Sequence, residues 1–270
     1  MTGAHARTGT LARLRDRIAR IEADSPGGMP DRAALGHDEA DAVLQGGLAR
    51  GAMHEVFAEG RHSAAAAGFV AGLAHRVSAD RPLMWVRQDF AAVECGVLSM
   101  SGWSELGLDP RYVVTVHAPD VETALRTAAD ALACDALGAV IMEIWGETRL
   151  LDLVASRRLT LAARASGVTA LLLRVAAAPL SSTAETRWIV RPARSPPQSE
   201  LQAWGAPVLE TQLVRNRHGQ TGHWFMEWKC DECLFRDAAF HREAAHPQPV
   251  AAAPADRPDR TRVVALRRTG

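Results

Sequence analysis

The sequence predicts an α/β protein with a mostly parallel twisted sheet flanked by helices, and three observations carry that reading. Between about Gly51 and Val190, short apolar runs alternate with helix-length segments, as strands joined by crossover helices do. After Val190, further apolar stretches are separated by turns rich in Pro and Gly, which suits antiparallel strands finishing the sheet. At 270 residues and 47% hydrophobic content, the chain can bury a core of that size.

Taken in order, the first element is a helix. Leu11, Leu14, Ile18 and Ile21 recur at three- and four-residue spacing behind a Thr10 cap, and Ser25-Pro26-Gly27-Gly28 ends the pattern. Such a helix packs back on its own core or docks on another subunit. The strands follow as Met53–Ala58, Leu83–Val86, Val113–His117, Ala139–Ile144 and Val168–Val175. Helical segments lie between them at Ser63–Arg76, Phe90–Trp103, Val121–Cys134 and Arg149–Ala165. Arg187–Arg191, Leu209–Arg215 and Trp224–Trp228 are the expected antiparallel strands. From about Ala244 onward, Pro, Ala and Arg dominate, a composition that buries too little apolar surface to offset the entropy of ordering. The expected organisation is therefore a helix and linker at 1–30, one α/β domain at 31–243 and a disordered tail at 244–270. The apolar and basic residues Val264, Leu266, Arg267 and Arg268 give that tail the character of a docking peptide.

Composition excludes several classes of function. Net charge is zero, so no global field draws the chain to nucleic acid or an anionic membrane. No signal core or membrane-length apolar run is visible, and four scattered cysteines do not make a disulfide framework, so a reducing cytoplasm is expected. Lys229 is the single lysine beside thirty arginines, and it lies far from any glycine-rich turn. Phosphate-loop or Schiff-base lysine chemistry has no other candidate.

The order of motifs resembles the RecA-like recombinase core, from "GGLARGAMHEVFAEG" through "VIMEI" and "ASGVTALLLRV" to "TRWIVRP" and "LVRNRHGQTGHWFMEW". Within that superfamily the arginine-rich first helix, the degenerate phosphate loop and the "RNRHGQTG" hairpin are similar to the ImuA group, which overlaps the SulA cell-division inhibitors. The resemblance covers about two-thirds of the chain. It implies a RecA-like core with a degenerate phosphate loop and an accessory role in damage-induced translesion synthesis. The implied partners are an ImuB-like polymerase-family protein and an error-prone replicative-type polymerase, with self-association through the first helix and weak or indirect DNA binding.

A working phosphate loop reads G-x-x-x-x-G-K-[S/T]. Its glycines let backbone N–H groups close on phosphate, its lysine neutralises charge and its hydroxyl binds Mg²⁺. In the register set by "EVFAEG", Ala58 replaces the first glycine, Ser63 the second, Ala64 the lysine and Ala65 the hydroxyl. Arg61 and His62 lie at the start of the next helix, where an anion is favoured even without the motif. Glu143 falls where the resemblance implies the Mg²⁺-associated acid, and Gln88 or Asp89 near the water-activating glutamate, a role closed to Gln88. With lysine and hydroxyl gone, the chain is expected to be a pseudo-ATPase that takes no cofactor, and Glu143 a relic or a structural acid.

The segments that bind single-stranded DNA in recombinases are cut back to "IWGETR" and "AAAPLSST", leaving Arg149, Arg157, Arg158 and Arg164 as a modest basic face. Cys230 and Cys233 form a lone C-x-x-C, short of the four ligands of a structural zinc site unless His218, His223 or His241 joins them. No metal site is expected. Trp103 and Trp204, flanked by Gly, Ser or Pro, are the tryptophans expected at an exposed contact surface. A SulA-like inhibitor of the cell-division GTPase and a residual DNA-binding ATPase are the alternatives to the accessory role.

Overall fold

A computed structural model describes residues 31–195 and 205–238, and its centre is a nine-stranded mixed sheet. In chain order, the elements are β1 (Arg32–Ala33), α1 (Asp38–Val43), β2 (Leu48–Ala49), β3 (Met53–Ala58), α2 (Ser63–Ser78), β4 (Leu83–Gln88), α3 (Asp89–Cys95) and α4 (Met100–Glu105). They continue with β5 (Val113–Ala118), α5 (Val121–Leu132), β6 (Ala139–Trp145), α6 (Leu153–Ser166), β7 (Thr169–Val175), β8 (Thr186–Ala193), β9 (Val208–Asn216), β10 (Gly222–Lys229) and β11 (Leu234–Asp237). The sheet order is β11-β10-β9-β8-β3-β7-β6-β4-β5, with β1 and β2 forming a separate two-stranded ladder. Strands β5, β4, β6, β7, β3 and β8 run parallel, and β9, β10 and β11 follow, each antiparallel to the strand before it. This is an α/β architecture consistent with a RecA-like core.

Burial explains the layering. Every residue of β3 and β7 is buried, because helices cover both faces of the central strands. On one face α2 places Ala66, Phe69, Val70 and Leu73 against Val56, Ile141, Leu171 and Trp188. On the other, Ala124 and Ala128 of α5 and Leu159 and Ala163 of α6 meet Met53, Val140, Met142 and Leu172. Side chains at the helix starts fix where α5 and α6 begin. Asp120 accepts the Thr123 N–H at 2.7 Å and Asp152 the Ala155 N–H at 2.8 Å.

The structure departs from the sequence reading at several elements. Strand β8 was expected to be antiparallel throughout. It instead pairs parallel with β3 and antiparallel with β9, so it is the hinge between the two halves of the sheet. The expected helix Phe90–Trp103 is two helices. Gly96 adopts φ +79°, which ends α3, and the Ser99 hydroxyl accepts the Gly102 N–H at 3.1 Å to start α4. The segment 149–152 is loop, and α6 begins at Leu153. The short elements β1, α1, β2 and β11 have no counterpart in the sequence reading.

Candidate functional site

Strand β3, a tight turn and helix α2 keep the layout of a phosphate loop at the C-terminal edge of the sheet, where ligands of open α/β folds bind. The loop itself does not form a cradle. Gly60–His62 coil into a 3₁₀ turn, closed by the His62 N–H donating to the Glu59 carbonyl at 2.8 Å. The backbone N–H groups that would face a phosphate are thereby wound into the helix entry. Trp145, at the end of β6, lies over the turn: a Cβ on Gly60 would sit 3.2 Å from its ring. Gln88 ties down the backbone there, its side-chain oxygen accepting the backbone N–H of Trp145 at 3.2 Å.

The four degenerate positions divide between surface and core. Ala58 is buried at the end of β3, and Ala65 packs against the core beneath α2. Ala64 is exposed, so a side chain there points to solvent. Ser63 is half-buried at the start of α2. Arg61 is exposed and paired with Glu59 at 2.8 Å, while His62 is half-buried beside it.

Glu143 is only 2% exposed and is surrounded by donors. Registers place Arg87 of β4 directly beside it in β6. Arg87 Nη2 donates to Oε1 at 3.1 Å, and its Nε makes a second, poorly aligned charge contact with Oε2 at 2.9 Å. Trp85 Nε1 donates to Oε2 at 2.9 Å. The guanidinium is fixed from behind by the Gly96 carbonyl at 2.6 Å, and Cys95 closes the group, 3.0 Å from Arg87 Nη2. Burial, and then the Glu143 charge, push the Cys95 thiol up, so it stays protonated. Both oxygens of this carboxylate thus already face donors, an arginine and an indole N–H. Asp89 is exposed and lies 3.4 Å from His117, far from such a role.

Sequence reasoning missed Arg87, although an arginine two residues after Trp85 in an apolar strand signals a buried partner. It also missed a second buried pair on the opposite face of the sheet. There Arg187 Nε donates to Glu55 Oε2 at 2.7 Å, with Phe57 under the guanidinium groups of both Arg187 and Arg174. Burial lowers the pKa of Arg174, and the Glu147 and Glu55 charges oppose the shift. A cavity of about 280 Å³ lies at the other edge of the sheet, between Asp80, Trp103 and Tyr112.

Other expected positions are scattered. Cys230 and Cys233 share the β10–β11 turn, where burial raises both thiol pKa values and Cys233 Sγ donates to the Gly107 carbonyl at 3.2 Å. His218 and His223 face Glu185 and Glu210 instead, and His241 lies outside the described residues. Trp103, expected to be exposed, is 5% exposed and meets Trp85 edge-on at 5.8 Å; the apolar floor beneath α4 outweighs its polar neighbours in sequence. Trp204, the first-helix residues Leu11, Leu14, Ile18 and Ile21, and the tail residues Val264, Leu266, Arg267 and Arg268 lie outside the described residues. Arg157, Arg158 and Arg164 stand exposed on the outer side of α6, with Arg149 in the loop before it. Among the described residues, no helix is long and apolar enough to cross a membrane.

No protein-family model matches the chain. It is 29% identical over 198 residues to Protein ImuA of Caulobacter vibrioides, in two strains, an alignment that covers 67% of this chain and 77% of that protein. This distant similarity to ImuA agrees with the resemblance carried by the motifs.

Proposed function

We propose that this chain is a non-catalytic, RecA-like accessory protein of damage-induced translesion synthesis, acting in the cytoplasm through contacts with an ImuB-like polymerase-family protein and an error-prone replicative-type polymerase. Similarity to ImuA supports the choice of system. The observation that carries the non-catalytic part is Glu143, buried against Arg87 and Trp85 where a Mg²⁺-associated acid would have to be open. Ala64 and Ala65 supply neither charge nor hydroxyl, and Trp145 covers the turn that would wrap a phosphate. Phosphoryl transfer depends almost wholly on positioning and on stabilising charge, so losing those groups removes the means of catalysis.

Two measurements test the reading. Purified protein is expected to show no Mg²⁺-dependent ATP turnover above that of its Glu143→Gln variant, and turnover that this variant abolishes would overturn the non-catalytic assignment. Co-expression with an ImuB-like protein is expected to give a complex that survives purification. Recovery of a tubulin-like GTPase in its place would overturn the choice of system.

A further inference from the structure

Two short helices on opposite layers of the molecule carry exposed apolar side chains with charges of opposite sign. On α6, Leu153, Val154 and Leu161 are 52%, 66% and 54% exposed, and Arg157, Arg158 and Arg164 stand among them. None of these arginines has an ion pair or hydrogen bond within the described residues. The nearest acid in sequence, Asp152, is occupied in capping the helix. On α3 and the turn after it, Val93 and Val97 are 77% and 78% exposed and Phe90 is 48% exposed, beside the exposed carboxylates of Glu94 and of Asp89, the latter also 3.4 Å from His117. Helical spacing puts Asp89, Phe90, Val93 and Glu94 on one outward face, and Leu153, Val154, Arg157 and Arg158 on another of the same shape.

The inner side of α3 sits over Arg87 and Glu143 on the layer that holds α2, whereas α6 packs on the opposite face of the sheet. One copy therefore cannot bring its own two patches together. We propose that the α6 face of one copy docks on the α3 face of a second, a head-to-tail contact between copies of this chain. Apolar side chains cover one another at its centre, and arginines meet carboxylates at its rim. The two terminal segments outside the described residues, 1–30 and 239–270, each carry more arginine than acid, so they are poor covers for an arginine-bearing face. Nucleic acid would take up the arginines and leave the three apolar side chains wet. A face-to-face pairing of α6 would bring arginines together. Because the two patches differ, the contact is heterologous, and it leaves one free patch at each end of a dimer.

Sedimentation velocity on the full chain tests this. The chain is expected to associate reversibly with concentration, and both Val93→Ser/Val97→Ser and Arg157→Glu/Arg158→Glu are expected to weaken that association roughly tenfold or more. All four positions are exposed, so circular dichroism and Tm should be unchanged and serve as the folding control. The decisive arm mixes the two variants: one retains an intact α6 face and the other an intact α3 face, so a capped dimer should return. A monomer at every concentration, association that neither pair of substitutions weakens, or a mixture that stays monomeric would each overturn the proposal. So would single-stranded DNA binding lost in Arg157→Glu/Arg158→Glu while self-association persists, since the face would then be a phosphate-binding one.

Discussion

At the residue scale, Glu143 and Arg87 show how a site loses its chemistry while its charges remain. Either charge alone in that interior would be strongly disfavoured, and each is retained because the other is present. Arg87→Met is therefore expected to cost about 3–5 kcal/mol by leaving Glu143 uncompensated, and the double variant Arg87→Met/Glu143→Met to recover most of that loss. Urea denaturation of the single and double variants checks this, and additive losses would show that the two groups are not coupled. His54 gives a second case. It is fully buried in β3, between the Thr186 hydroxyl at 2.8 Å and the Ala49 carbonyl at 2.9 Å. Burial lowers its pKa from the ordinary value near 6.5, with the Ala49 hydrogen bond opposing. The unfolded chain then binds a proton that the folded chain resists. The resulting stability is fully present above about pH 6.5 and is lost as pH falls from there towards the folded-state pKa. His54→Gln is expected to be less stable at pH 7.5, yet to lose less on going to pH 5 than the parent does. A parallel decline in both proteins would assign the acid sensitivity to other groups.

At the scale of elements, α2 depends on the absence of a side chain at Gly72. A Cβ there would lie 2.7 Å from Phe235 of β11 and 2.8 Å from Trp228 of β10. Alanine is the better helix former by up to about 1 kcal/mol, but two aromatic rings packed on each other 4.8 Å apart have little room to yield. Gly72→Ala is expected to destabilise by about 1–3 kcal/mol in thermal or urea unfolding, against the sign that propensity alone gives. The same contrast between local and distant information decides what was legible in the sequence. Strands β3, β4, β5, β6 and β7 were readable to within one or two residues, because apolar runs between breakers are local signals. The α3–α4 break was also written locally, in Gly96 and Ser99, but the helical periodicity across it masked the signal. The direction of β8 was not readable, since a strand in isolation says nothing about which neighbour it will take. For the same reason the degenerate loop could be recognised from Ala58, Ser63, Ala64 and Ala65, whereas the Arg87–Glu143 pair required knowing that β4 and β6 are adjacent.

At the scale of the whole molecule, β3 and β8 make the parallel and antiparallel halves inseparable. β3 hydrogen-bonds to β7 on one side and β8 on the other, and β8 carries the antiparallel strands on its far edge. Beneath them a single apolar cluster runs from Leu83 and Trp85 to Trp188, Trp224 and Phe235, with α2 lying across both halves. Unfolding β9, β10 and β11 alone would expose Trp188, Trp228 and Phe69 together, so a state with half the sheet intact has little to stabilise it. The described core is expected to unfold in one cooperative step. Tryptophans report from both halves, Trp85 and Trp103 from one and Trp188, Trp224 and Trp228 from the other, so their fluorescence and the far-ultraviolet circular dichroism should share one urea midpoint. A fluorescence change that precedes the loss of helix would mean that the antiparallel strands come away first, and that the shared cluster does not bind the halves as their packing implies.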